Sequence, residues 1–148
     1  MKSIWQDETR RDVSARLVKL DPARPAQWGR MSSQQMVCHL HYSLQMAIGE
    51  RAVRGRWTPF RLPLLKPFVL YYAPFPKNAP TAPELVITAT PNSWDRDVAD
   101  LCAAMDRFVA RGRGARWPDH PAFGPLTAED WGVLVYRHTD HHLRQFGV

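Results

Sequence analysis

Close to the C-terminal end of the 148-residue chain an apolar stripe turns polar midway. Trp131, Leu134 and Val135 recur at the three-and-four spacing of a helix, and that spacing continues into His138, His142 and Gln145. At about 100° per residue, His138 and His142 lie roughly 40° apart and one turn from each other, so both imidazoles can reach a single ion. Asp140 is about 200° round from His138 and faces away; His141 sits about 60° to the flank. On another helical segment His39 lies among Met36, Leu40 and Ser43, on or beside the inward stripe. Imidazoles aimed into a helical interior require a hydrogen-bond partner or a metal. Three of them with further positions open describe a catalytic or ligand-exchanging centre, because closed structural sites take four protein ligands. The expected ligands are therefore His39, His138 and His142.

Other chemistries fall away on inspection. An isolated His-x-x-x-His pair arises by chance on many helices, and the third His on a second core face is what favours metal over that structural reading. The zincin motif needs Glu directly after its first His, whereas Thr139 follows His138. Cys38 precedes His39, but adjacent helix positions point about 100° apart, so they form no nucleophile and base pair. There is no glycine-rich phosphate loop. His120, ahead of Pro121, reads as a structural loop residue or as part of the mouth of the site, and His41 as facing solvent or a helix neighbour. Gln35 and Ser43, one turn either side of His39, are the candidates to orient its ring.

Four long helices must position these groups. Val13, Leu17 and Leu20 predict one over residues 7–20, closed by Asp21-Pro22. Met36, Leu40, Leu44, Ala47 and Ile48 predict a second over 33–48, capped by Ser32 or Ser33 and stopped by Gly49. A third, 94–111, starts after Ser93 and turns inward Val98, Leu101, Cys102, Met105, Phe108 and Val109. Thr127 and Asp130 form a near capping box for the last, 128–146. Between the second and third lies a proline-rich insertion, with room for a short helix within 58–72 and an extended loop over 73–91 that includes Glu84 to Thr88. The fold class expected is all-α, a four-helix bundle with this long irregular insertion.

Composition sets the outer limits. The length suits one domain, taken as residues 1–148, and 45% hydrophobic residues can build a core without disulfides. Two cysteines, Cys38 and Cys102, form no disulfide framework and suit a reducing interior. Charges arrive before any signal-like apolar run, and no stretch approaches the roughly 20 apolar residues of a membrane span. A cytoplasmic protein with no membrane partner is the expectation. The formal charge of +6 raises nucleic acid as a partner, but no basic stripe interleaved with aromatics accompanies it, so no specific nucleic acid is expected and the arginines read as solvated surface.

Trp28-Gly-Arg-Met-Ser-x-x-Gln-Met36 with Cys38-His39-Leu40, then His120-Pro-x-Phe-Gly-Pro-Leu126 and His138-x-x-His141-His142-Leu-Arg-Gln-Phe-Gly147, resembles the DinB-like superfamily, in a branch that carries no assigned reaction. The resemblance implies a four-helix bundle, often dimeric, that holds a divalent metal through one His of the second helix and a His-x-x-x-His pair of the last. By motif those are His39, His138 and His142. It further implies chemistry of the kind found among relatives: transfer to low-molecular-weight thiols, isomerisation or hydrolysis.

The expected function is a metal-dependent enzyme that activates a low-molecular-weight thiol or water against a small-molecule substrate, using Zn, Ni or Fe. Arg144 and the arginines at 51, 54 and 56 are candidates to attract a carboxylate-bearing thiol. The alternative is a non-catalytic metal or ligand-binding module of a stress response.

Overall fold

The computed structural model describes residues 1–88 and 93–148, and among them the chain is all-α. Its α-helices are α1 (Asp7–Val18), α2 (Ser33–Ala47), α3 (Leu65–Tyr71), α4 (Trp94–Arg111) and α5 (Ala128–Gln145). Local chemistry sets the ends of the site-bearing helices. At α2 the Ser32 hydroxyl accepts the Gln35 amide at 3.1 Å while Gln35 Oε1 accepts the Ser32 amide at 2.9 Å, a reciprocal box that satisfies two otherwise orphaned donors. Thr127 and Asp130 do the same for α5. Ser33, the other cap candidate, instead donates its hydroxyl to the Pro22 carbonyl at 2.6 Å and ties the preceding loop to α2. Ser93 occupies the N-cap of α4 without bonding the helix through its side chain; Asp95 and Asp97 place negative charge in that first turn. α1 ends at Val18, short of the expected residue 20, because the Lys19 amide turns back to the Arg16 carbonyl.

α2 packs on α4 and on α5, α1 packs on α5, and the buried apolar side chains form a cluster drawn from all four long helices. The inward face of α4 is rotated slightly from the expected one. Leu101, Ala104, Met105 and Phe108 are buried together with Asp97, while Val98, Cys102 and Val109 are only partly covered. The rotation has a polar cause: Asp97 is turned in, where it accepts from Gln34 Nε2 at 2.8 Å and meets the Cys38 thiol.

The insertion is more ordered than its prolines suggest. It holds 3-10 turns at Pro59–Arg61 and Pro83–Leu85 with α3 between them. Pro59 and Pro83 open their turns, and Pro67 lies in the first turn of α3, positions where a missing N–H leaves no internal bond unmade. Arg137 of α5 donates to the Val69, Leu70 and Ala73 carbonyls and so fastens the exit of α3. Glu84 and Leu85 of the expected extended run lie instead in the second turn, which the Val86 amide closes on the Pro83 carbonyl; Val86 itself is extended, and residues 89–91 of the expected loop lie outside the described residues. No helix among the described residues is long and apolar enough to cross a membrane.

The N-terminal segment crosses α5 at Gly132. The Ile4 amide donates to the Gly132 carbonyl at 3.0 Å and the Trp5 indole to the Ala128 carbonyl at 2.8 Å. A Cβ at position 132 would stand 2.2 Å from Trp5 Cδ1 and 2.5 Å from Ser3 Oγ. Gly132→Ala is therefore expected to destabilise the protein, since overpacking at roughly 3 kcal/mol outweighs the roughly 1 kcal/mol that Ala gains in a helix. Urea unfolding should show a net loss of about 2 kcal/mol; an unchanged or raised midpoint contradicts the close approach.

Candidate metal centre

The end of α5 and the middle of α2 bring His39, His138 and His142 together. His138 Nε2 lies 3.2 Å from His39 Nε2 and 3.1 Å from His142 Nε2. The three residues offer one nitrogen each within 4.8 Å of one another, with His39 and His142 buried and His138 partly exposed. The predicted i, i+4 geometry accounts for the pair on α5, and the inward stripe of α2 delivers the third ring.

The outer nitrogens fix which way the rings face. His142 Nδ1 is 2.8 Å from Gln145 Oε1, and Gln145 Nε2 donates to the Trp28 carbonyl at 2.6 Å. That second bond orients the amide, so its oxygen faces His142 and Nδ1 must be the donor. His39 Nδ1 likewise donates to the Leu85 carbonyl at 3.2 Å. Both rings thus carry their proton outside and turn an Nε2 lone pair inward. His138 Nε2, between them, can offer at most one proton to two acceptors. At least one inward lone pair in this cluster has no proton to meet, a state that a cation relieves.

Electrostatics keep the rings unprotonated. Burial lowers His39 below its ordinary value and, with the nearby His39, takes His142 down to about 3; burial followed by the charges of neighbouring imidazoles holds His138 well below the usual range. Neutral imidazoles are the form that binds metal. Two of the three separations match a tetrahedral ion, whose ligands at 2.0–2.1 Å stand about 3.3–3.4 Å apart: His138 Nε2 lies 3.2 and 3.1 Å from its neighbours, and all three nitrogens lie within 4.8 Å of one another. The donor set suits zinc, nickel or iron.

Gln35 and Ser43 do not orient His39. Gln35 is spent in the helix cap, and the Ser43 hydroxyl donates to the His39 carbonyl at 2.9 Å, within its own helix. The residues that hold the rings are Gln145, which lies on the apolar stripe of α5 as expected, and the backbone of Leu85 and Trp28. Gly29 completes this support. Its φ of +82° turns the chain, and a Cβ there would lie 2.7 Å from Gln145 Nε2.

The remaining candidates take structural places. Asp140 faces away from the cluster and binds Arg16 at 2.7 Å and Arg144 at 3.0 Å, joining α1 to α5. His120 Nδ1 accepts the Ala122 and Phe123 amides, and burial with the nearby Arg61 charge lowers it to about 4. His41 is half-buried beside Tyr42. The Cys38 thiol, pushed up to about 11 by burial and the Asp97 charge, is no nucleophile at neutral pH. The rim of the cluster is aromatic: the Phe75 ring centre is 6.3 Å from that of His138, and Trp28 lies 5.6 Å from His141.

No curated protein and no solved structure matches the chain. The family profile described as the DinB superfamily matches residues 6–146, a span that includes all three converging histidines and every helix that positions them, and the chain belongs to that superfamily.

Proposed function

We propose that the protein is a metal-dependent enzyme in which His39, His138 and His142 hold a divalent ion and present a thiol or water to a small-molecule substrate. The observation that supports this most directly is the inward convergence of unprotonated Nε2 atoms whose outer nitrogens are already committed to Gln145 and Leu85. When bound, such an ion supplies Lewis acidity that lowers the pKa of a coordinated thiol or water. His39, His138 and His142 would hold the ion and leave its remaining positions for a thiol or water. Gln145 and the Leu85 carbonyl hold two of the rings in one tautomer and one orientation, which spares the site reorganisation during the reaction. Phe75 supplies an apolar edge beside His138, whose partly exposed side is where a substrate would enter.

The test is metal content followed by turnover. Purified protein should carry close to one divalent ion per chain and, so loaded, turn over at least one electrophile across a panel of low-molecular-weight thiols and hydrolysable substrates. Stoichiometric metal with no turnover in the whole panel would replace this reading with the non-catalytic binding module. Failure to bind any divalent ion would end both.

Gln145→Ala probes the support of the rings. Losing the acceptor for His142 Nδ1 frees the ring to rotate and to change tautomer, and affinity for zinc should fall about 10–100-fold, measured by competition with a chelating dye. A change under twofold would show that Gln145 does not position His142.

A further inference from the structure

The charge of this protein is not spread over it. Residues 51–83 contain six of its basic residues and none of its acidic ones, and the fourteen bases elsewhere equal the fourteen acids elsewhere, so a charge equal to the whole formal +6 resides in this one segment. Glu84, the first acid beyond it, accepts the Arg54 amide at 3.3 Å and offsets one of these charges. Arg54, Arg56 and Lys77 are exposed.

The same segment carries most of the bare apolar surface. Of nine large hydrophobic residues exposed among the described residues, six lie within 57–72. Leu64 is 90% exposed, Phe68 54% and Tyr72 73%, and they recur every fourth residue along α3 and its two caps, which places them on one stripe. Trp57, at 75%, stands beside Arg56. The opposite side of α3 is pinned: Leu70 is buried and Arg137 holds the last carbonyls. The helix is therefore fixed to α5 and presents its apolar stripe outward.

From these two observations together, and against the expectation of no membrane partner that rested on the lack of a spanning segment, we propose that residues 51–83 form a docking surface for an anionic lipid bilayer. Trp57, Leu64, Phe68 and Tyr72 enter the boundary between headgroups and acyl chains, and Arg54, Arg56 and Lys77 lie over anionic headgroups. Charge decides against one rival occupant and aliphatic surface against the other. A second copy seated on this face would bring one basic segment against another. A single-stranded nucleic acid satisfies the bases and stacks on the aromatic rings, but it leaves the aliphatic Leu62 and Leu64 in water. A bilayer with anionic headgroups takes up aromatic, aliphatic and basic groups at once. α3, with seven residues, adsorbs and does not span.

The proposal is independent of the metal centre and is tested with the 148-residue chain and sedimenting vesicles at physiological salt. Vesicles of phosphatidylcholine mixed with phosphatidylserine should bind the protein, and phosphatidylcholine alone at least tenfold more weakly. Arg54→Gln combined with Arg56→Gln should weaken binding roughly 25-fold, at about fivefold for each charge. Leu64→Ser combined with Phe68→Ser should weaken it at least tenfold; both side chains are exposed, so circular dichroism and metal content should stay as in the parent. The proposal is overturned if anionic vesicles do not bind, if neutral and anionic vesicles bind alike, or if the double serine variant binds as well as the parent. It is equally overturned if the serine variant abolishes a dimer, or a complex with single-stranded oligonucleotide, in a protein that ignores vesicles.

Discussion

His138→Ala is expected to lower the affinity for zinc by about 10²–10³-fold and to abolish any metal-dependent turnover, while the helices remain folded. The magnitude follows from dividing the roughly 10–16 kcal/mol with which a four-ligand zinc site binds its ion into about 3–4 kcal/mol per ligand. The fold should survive because His138 is the one partly exposed member of the three, and water can replace its ring. Its Nε2 meets the two fixed rings at 3.2 and 3.1 Å. Isothermal titration with zinc, together with metal analysis of the purified variant, reads the effect. A variant that keeps a full equivalent of metal at the parent's affinity would mean that the ion, if any, sits elsewhere.

The histidines were legible in the sequence because helical period converts spacing into direction. His138 and His142 interrupt a stripe whose apolar members, Trp131, Leu134 and Val135, are buried, so their inward aim was implied once the helix was. His39 followed by the same argument on α2. What holds the rings was not legible, and the reason is physical. The choice of Gln35 and Ser43 rested on helical neighbourhood, yet residues one turn away lie along the axis, where short polar side chains bond their own backbone. The actual acceptor for His39 is a carbonyl 46 residues away, a group that every residue type carries, so no pattern marks it. Gln145 was visible as a polar residue on an apolar stripe, but its pairing with the Trp28 carbonyl depends on a loop whose path the glycine at 29 sets. The face of α4 was missed by one position for a similar reason: Asp97 turns inward through pairing with Gln34, a long-range contact that hydrophobic period does not register. In the insertion, the prolines suggested irregular chain although they occupy the openings of short helical turns.

Trp131→Ala should cost about 3–5 kcal/mol, the range for truncating a large buried aromatic. Trp131 is 1% exposed, its indole N–H donates to the Pro118 carbonyl at 3.2 Å, and its ring centre lies 5.3 Å from that of His120. Truncation opens a cavity, strips the Pro118 carbonyl of its donor and removes the wall against which the His120–Gly124 turn is packed. Against a total stability of about 5–15 kcal/mol, the loss shifts the urea midpoint strongly or unfolds the chain outright. Trp131→Phe keeps an aromatic ring but loses the five-membered half of the indole and its hydrogen bond, so it should cost less than the alanine variant and remain measurable where that variant is not. Position 131 lies seven residues before His138, about 10 Å along α5, which separates packing from ligation. Zinc in excess should therefore raise the stability of the parent and of Trp131→Phe by the same amount, set by mass action on the folded state. His138→Ala should gain little under the same conditions. Equal zinc stabilisation of all three proteins would place the ion away from the three histidines, whereas stabilisation lost in Trp131→Phe would show that the packing around His120 and the ring geometry of the centre are one cooperative unit.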